Sequence, residues 1–394
     1  MKFPHLLQAL AVCATALPAL AAGFDAEVTG QVSRKAPPIP ISLNGYGGEA
    51  RQVLQFDLEV AGFEIVAAAT AQYELKTGKA EEVQGTLVDT GNHHPLFARS
   101  YPGGTTRAQA HMLADDVVKA VTGKAGIART RIAFKAQPGR RNAAGENIGE
   151  IFVSDYDGAN PVQLTEDNSI AAAPAWVPQR LALFYMSHRS GKSAVYSHDL
   201  GSGARTRVFS FNGENSSPVI SPDGTQVALI LSKSGSPDLW VANLDGSGLR
   251  QLTHTPEAES SPCWSPDSKT LCLTSRKDGR AALYTIPAGG GELQRVLTTG
   301  IVNCTEPDWS PDGKWIAFTR ATGEFTIYVV PAGGGTPEAV AAGEDPSWAP
   351  NSRTIVFTSG RDGARRLSLL DVPTRRVKYL TRLSGSCSQP SWAR

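Results

Sequence analysis

Few side chains in this sequence are spaced for covalent or metal chemistry. Cys263 and Cys272 are the most suggestive pair, because they lie at equal offsets from a turn centred on Pro266 to Lys269. A hairpin there would set them face to face, as a cross-strand disulfide or as two small buried thiols, and the thiols are the favoured reading. Cys304 and Cys387 each stand three residues before a proline in separate copies of a sequence repeat, too far apart to bridge. His93-His94 falls between two strand-like runs and reads as a solvated turn rather than a metal site. His111 sits in a helical stretch, where packing or a surface hydrogen bond is expected. Asp155-Tyr156-Asp157-Gly158 begins like a calcium loop but lacks the remaining ligands, so a hairpin turn is expected. The sequence contains no G-x-S-x-G, H-E-x-x-H, Walker loop or C-x-x-C. No catalytic residue, metal ligand or cofactor is assigned, and a non-enzymatic protein is expected.

What positions these residues is a repeat. A proline-led anchor recurs as Pro174-Ala-Trp176, Pro218-Val-Ile220, Pro262-Cys-Trp264, Pro307-Asp-Trp309, Pro346-Ser-Trp348 and Pro390-Ser-Trp392. The spacings are 44, 44, 45, 39 and 44 residues, the length of one four-stranded propeller blade. The copy from Pro307 shows the contents. Pro307 to Ser310 is a short inner strand, Ser310-Pro-Asp-Gly313 a turn, and Trp315 to Thr319 a second strand. Phe325 to Val330 is a third strand, and Pro337 to Ala341 a weak outer one. A lone blade has two uncovered apolar faces, so the ring has to close. Residues 127–173 carry later blade strands with no anchor before them, and Pro390-Ser-Trp392 is an anchor with no blade after it. The C-terminal segment is therefore expected to supply the inner strand of the first blade, giving five intact blades and one split blade.

The segment before the repeat reads as a small α/β domain. Strands are expected at Ile39 to Ser42, Phe63 to Val66, Gln72 to Lys76, Glu82 to Val88 and Leu96 to Tyr101, with a helix from Glu49 to Ala61. A second helix is expected to start at Thr106 as N-cap, with Gln109 completing a capping box, and to stop at Gly123. Lys2, the apolar run Leu6 to Leu17 and Ala19-Leu-Ala21 form an export signal. The expected organisation is a signal peptide at 1–21, an α/β domain at 22–126 and a six-bladed propeller at 127–394. The fold class is mainly β. With 38 Lys and Arg against 37 Asp and Glu, the formal net charge of +1 gives no reason to expect nucleic acid as a partner. No later run is long and apolar enough to span a bilayer, and an exported monomer is expected.

Several stretches together resemble the TolB family. They are Ala110-His-Met-Leu-Ala-Asp-Asp116 with Val121-Thr-Gly123 to Gly126, Arg129-Thr-Arg-Ile-Ala-Phe134, Asp57 to Phe63, Leu87-Val-Asp-Thr-Gly91 and Ser154-Asp-Tyr-Asp-Gly158. The resemblance implies a periplasmic component of the Tol-Pal system, linking a Pal-like peptidoglycan-associated lipoprotein to a TolA-like inner-membrane protein. That system supports outer-membrane integrity and constriction during division. It also implies a Pal face built from loops preceding the inner strands: Glu214, Asn215, Ser217, Glu257, Glu259, Ser260, Asn303, Thr305, Glu306, Glu344 and Asp345. An N-terminal tail bearing Phe24, Asp25 and Glu27 would contact the TolA-like protein. Two other readings compete. One is a propeller that binds or hydrolyses a small ligand in its central channel. The other is a hydrolase-associated propeller, which would need an α/β-hydrolase domain after a repeat that here runs to Arg394.

Overall fold

The computed structural model describes residues 35–78, 82–143, 145–360 and 365–394. The signal peptide and the tail residues Phe24, Asp25 and Glu27 lie outside them.

An α/β layer comes first. Strand β1 (Ile39–Asn44) is followed by α1 (Gly48–Val60), β2 (Phe63–Ile65), β3 (Tyr73–Lys76), β4 (Val83–Asp89), β5 (His94–Tyr101) and α2 (Thr106–Thr122). The sheet order is β2-β1-β3-β4-β5, parallel where β1 meets β2 and β3, and antiparallel beyond. The apolar stripe of α1, Val53, Leu54 and Leu58, and that of α2, Ala110, Leu113, Ala114 and Val117, pack into one cluster with Ile41, Phe63, Leu75 and Leu87. The N-cap of α2 is Thr105 rather than Thr106, its hydroxyl accepting from the Ala108 N–H. Gln109 does not close a capping box. Its side chain is drawn away into the sheet, accepting from Val83 N at 2.9 Å and donating to Gly103 O at 3.1 Å. Gly123 ends the helix at φ 72°, a left-handed conformation that glycine adopts without strain.

Six sheets of four strands follow. Blade 1 combines the last strand, Ser386–Trp392, with Arg131–Gln137, Glu150–Asp155 and Val162–Gln163. The inner strands of blades 2 to 6 are Ala171–Trp176, Asn215–Ile220, Glu259–Trp264, Cys304–Trp309 and Glu344–Trp348. Closure through the C-terminal strand is thus as expected, with Trp392 opposite Ile132 and Ser386 opposite Gln137. Each neighbouring pair of blades encloses its own apolar cluster, six in all among the described residues. Trp176, Trp264, Trp348 and Trp392 are buried in these clusters, each removing roughly 150–250 Å² from water. Three of them also bond the preceding blade: the indole N–H of Trp176 donates to Ser391 O, that of Trp264 to Val219 O and that of Trp348 to Asp308 O.

The inner strands differ from expectation in one respect. They begin three residues or so before the anchor proline, not at it. The proline survives mid-strand because the residue before it bulges out of the ladder, which removes the need for an N–H at that point.

Candidate functional site

The bulge recurs around the ring. Ala173, Ser217, Ser261, Glu306, Asp345 and Gln389 each precede an anchor proline and each has φ between 49° and 54°. Pairing registers shift at these points, for example between Ser260 and Cys263 and between Thr305 and Asp308. Six left-handed non-glycine residues would be costly if isolated. In half of the ring, side chains from the neighbouring bulge hold them. Glu306 Oε2 accepts from Asp345 N at 3.0 Å, Asp345 Oδ2 from Gln389 N at 3.1 Å, and Gln389 Oε1 from Ala173 N at 3.2 Å. These bridges run from blade 5 through blades 6 and 1 to blade 2. On the other side stand Ala173, Ser217 and Ser261, too short to reach the next bulge. The ring is therefore bridged and acidic on one side, and lined by small neutral side chains on the other.

Charge concentrates on the bridged side. Burial and the neighbouring Asp345 push the Glu306 carboxyl up to about 7. Burial also raises Asp345, whose Oδ2 accepts from Thr358 Oγ1 at 3.1 Å, and it raises Glu344. Arg365 pairs with Glu344 at 2.9 Å. Lys135 faces the same cluster, its ammonium lowered by burial and by Arg365. Among the described residues, no group of three or more His, Cys, Asp or Glu is placed to hold a metal ion.

The expected partner-facing residues are only partly on a surface. Glu214, Glu257 and Asn303 lie in the loops before the inner strands, while the others lie within the strands, which extend beyond the anchors. Glu214 and Ser260 are exposed, and Ser217, Glu257, Asn303, Thr305, Glu306 and Asp345 are half-buried. Asn215, Glu259 and Glu344 are buried, which corrects their expected place in exposed loops. Asn215 ties its loop together, donating to Phe211 O and Ser193 O. Glu259 accepts from three hydroxyls, Thr253 at 3.0 Å, Thr255 at 2.6 Å and Ser275 at 3.0 Å. Its carboxyl is raised by burial and serves the blade rather than a partner. Gln389 and Ala173 belong to the ring, with Lys135 and Arg365 beside it, and none of the four was singled out from sequence. The signal was available: the residue immediately before each anchor proline.

The other residues of chemical interest are structural. Cys263 and Cys272 face each other in register but are free, buried thiols. The Ser265 N–H bonds Thr270 O two pairs closer to the turn, so by alternation Cys263 and Cys272 occupy a hydrogen-bonded pair. The Cβ atoms of such pairs stand farther apart than a disulfide prefers. Cys304 and Cys387 are also buried and free, on inner strands rather than loops. His93 is a turn residue at φ 57°. Asp157, in a turn of blade 1, is held by Arg107 and by Arg382, the latter at 2.7 Å. His111 is buried, not at the surface, with Nδ1 2.7 Å from Asp57 Oδ2.

Six blades closed by the C-terminal strand, with an α/β layer at their start, define a β-propeller protein with its channel ringed by bulge side chains. Residues 118–394 match the TolB beta propeller domain, and the chain belongs to the TolB family. The Tol-Pal system protein TolB of Gluconobacter oxydans (strain 621H) is 33% identical over 406 residues, covering 94% of this chain and 88% of that protein. Those of Anaeromyxobacter dehalogenans (strain 2CP-C) and Francisella tularensis subsp. mediasiatica (strain FSC147) are 32% and 33% identical over 184 and 215 residues. These alignments span 47% and 54% of this chain but only 38% and 49% of those relatives, half their length or less. The crystal structure of TolB from Acinetobacter baumannii superposes with a TM-score of 0.80 at 23% identity, covering 91% of this chain and 98% of that one. It shares the fold. No helix among the described residues is long and apolar enough to cross a membrane.

Proposed function

We propose that this protein is a non-enzymatic periplasmic component of a Tol-Pal system that binds a Pal-like lipoprotein on the face where the inner strands begin. The observation that carries the reading is the lopsided bulge ring at that face, in a chain of the TolB family. Glu306, Asp345 and Gln389 make an acidic, hydrogen-bonding wall, while Ala173, Ser217 and Ser261 leave room opposite it. A docked protein can lay side chains into the open half while Glu214, Glu257, Ser260, Asn303 and Thr305 meet its rim. Exposed polar groups at the edge match the polar rim of a specific interface, and the acidic wall at the centre would need hydrogen-bonding partners from the docked protein. Through its N-terminal tail the protein would reach a TolA-like partner, linking the two for envelope integrity and constriction. Residues 22–126 would form a separate α/β domain from the propeller at 127–394.

The test is capture of a Pal-like lipoprotein from the same cell by the full chain. Glu214→Lys combined with Ser260→Arg, both at exposed positions, should abolish or strongly reduce capture without changing the melting temperature. Unchanged capture would remove this face from the proposal, and no capture by the parent chain would remove the partner.

A further inference from the structure

A cleft opens on the face where inner strands end. Its volume is about 520 Å³, and its lining includes Arg129, Arg131, Trp176, Arg180, Leu181 and Arg394. The topology explains the opening. In blades 2 to 6 a hairpin turn joins the inner strand to the next one. In blade 1 these two strands are Ser386–Trp392 and Arg131–Gln137, which are remote in sequence, so no turn fills the space between them.

The cleft carries four arginines and no acid among its lining residues. This differs from blades 3 to 5, although blade 6 carries Asn351 at the equivalent turn position. The corresponding turns of blades 3, 4 and 5 carry Asp223, Asp267 and Asp312, each accepting from the serine two residues earlier at 2.6 Å. In blade 2 the turn is Val177-Pro-Gln-Arg180, so a carboxylate is missing and a guanidinium stands nearby. Two of the four arginines are tied down. Arg129 pairs with Asp115 at 2.9 Å, and Arg394 reaches Asp308 and Trp348 O. Arg131 and Arg180 are exposed and have no ion pair or side-chain hydrogen bond among the described residues. Beside them Leu181 leaves 48% of its surface in water, over the buried Trp176.

We infer that this cleft is a docking site for a short acidic segment of another protein, with carboxylates on Arg131 and Arg180 and an apolar side chain against Leu181. Guanidinium groups favour carboxylates through paired, planar hydrogen bonds. No acid lines the cleft itself, and the nearby Asp115 and Asp308 are already paired with Arg129 and Arg394, so a carboxylate meets a net positive wall. The site is independent of the lipoprotein-binding face, which lies at the opposite mouth of the ring.

The experiment uses the full chain and a fluorescein-labelled peptide of sequence Glu-Asp-Leu-Glu-Asp, read by fluorescence anisotropy at low and physiological salt. The acidic peptide should bind, more weakly as salt rises, and a Lys-Arg-Leu-Lys-Arg counterpart should not. Arg131→Glu with Arg180→Glu should weaken binding at least about tenfold, and Leu181→Ser should weaken it without changing the salt dependence. Lys233→Glu, at the other mouth of the ring, should leave it unchanged. Because both arginines are unpaired, the double variant should melt with the parent; Arg131→Lys with Arg180→Lys, which keeps the charge, should retain most of the binding. Equal binding by parent and double reversal would overturn the proposal. So would preferential binding of phosphatidylglycerol vesicles through the same two arginines, which would make the cleft a lipid contact.

Discussion

Glu306 shows how one residue reports on the whole ring. Its carboxylate caps the Asp345 N–H of the next blade, yet burial and the Asp345 charge raise its carboxyl to about 7, above the ordinary value of 4.5. The folded protein therefore holds this proton more tightly than the unfolded chain. Between about pH 4.5 and 7 the native state binds more protons, so stability must fall as pH rises through that window. The full benefit is present below the unfolded value and is gone above the folded one. Glu306→Gln keeps an acceptor oxygen for Asp345 N and removes the titration. Melting temperatures measured from pH 5 to 8 should decline less steeply in Glu306→Gln than in the parent, and parallel curves would show that Glu306 titrates normally. Such a residue is hard to read from sequence. Glu259 and Glu306 both lie near an anchor proline, but Glu259 is three residues before it and points into a cage of hydroxyls, while Glu306 is one before and joins the ring. Only the bulge separates these fates, and a bulge depends on which strands pair.

At the scale of elements the sequence was far more legible, because the repeat writes the same element six times. The anchors predicted the blade count and the split blade, and every strand expected in the α/β layer formed. What went unread was the start of each inner strand: a proline suggests a boundary, yet here it sits mid-strand at a bulge. Thr105 rather than Thr106 caps α2 for a related reason, since Gln109 found partners in β4 and its preceding loop that no local pattern discloses. Closure makes the sharpest prediction. The strand Ser386–Trp392 covers clusters on both of its sides, burying Cys387 and Trp392 and donating through the Trp392 indole to Thr130 Oγ1 at 2.8 Å. Removing residues 386–394 leaves two edges of the ring open and strips the inner position of blade 1. The melting temperature should drop by more than about 10 °C, since each kcal/mol is worth a few degrees in a domain this large. A truncated chain that melts with the parent would mean that the ring does not depend on this strand.

Over the whole molecule, the question is what joins the α/β layer to the ring. Part-buried pairs contribute: Lys378 with Glu59, and Arg376 with Glu64 at 2.9 Å and with Phe63 O at 3.1 Å. Each is partly solvated and worth little alone. The buried contact is different. Asp57 on α1 receives His111 Nδ1 from α2 at 2.7 Å and the Tyr156 hydroxyl from blade 1 at 2.5 Å. Burial raises the Asp57 carboxyl, opposed by His111 and Tyr156, and burial raises the Tyr156 hydroxyl further still. Close by, Arg107 of α2 holds Asp157 of the same blade, and Gly62, at φ 90°, lets the chain after α1 approach Arg353 and Asp371 where any side chain would collide. Asp57 is thus, among the described residues, the one carboxylate that bonds α1, α2 and the propeller at once. Asp57→Ala leaves His111 and Tyr156 buried without their acceptor, a loss of about 1–3 kcal/mol for each buried group left unsatisfied. That loss falls on the contact between the layer and the ring rather than on either apolar core, because the layer keeps its own cluster around Leu54 and Leu113. The expected result is a single calorimetric transition in the parent and two in Asp57→Ala, the lower one accompanied by loss of helical circular dichroism. Glu64→Ala, which removes only a half-exposed pair, should retain one transition. A single, uniformly lowered transition in Asp57→Ala would instead mean that the layer and ring unfold together however weakly they are joined.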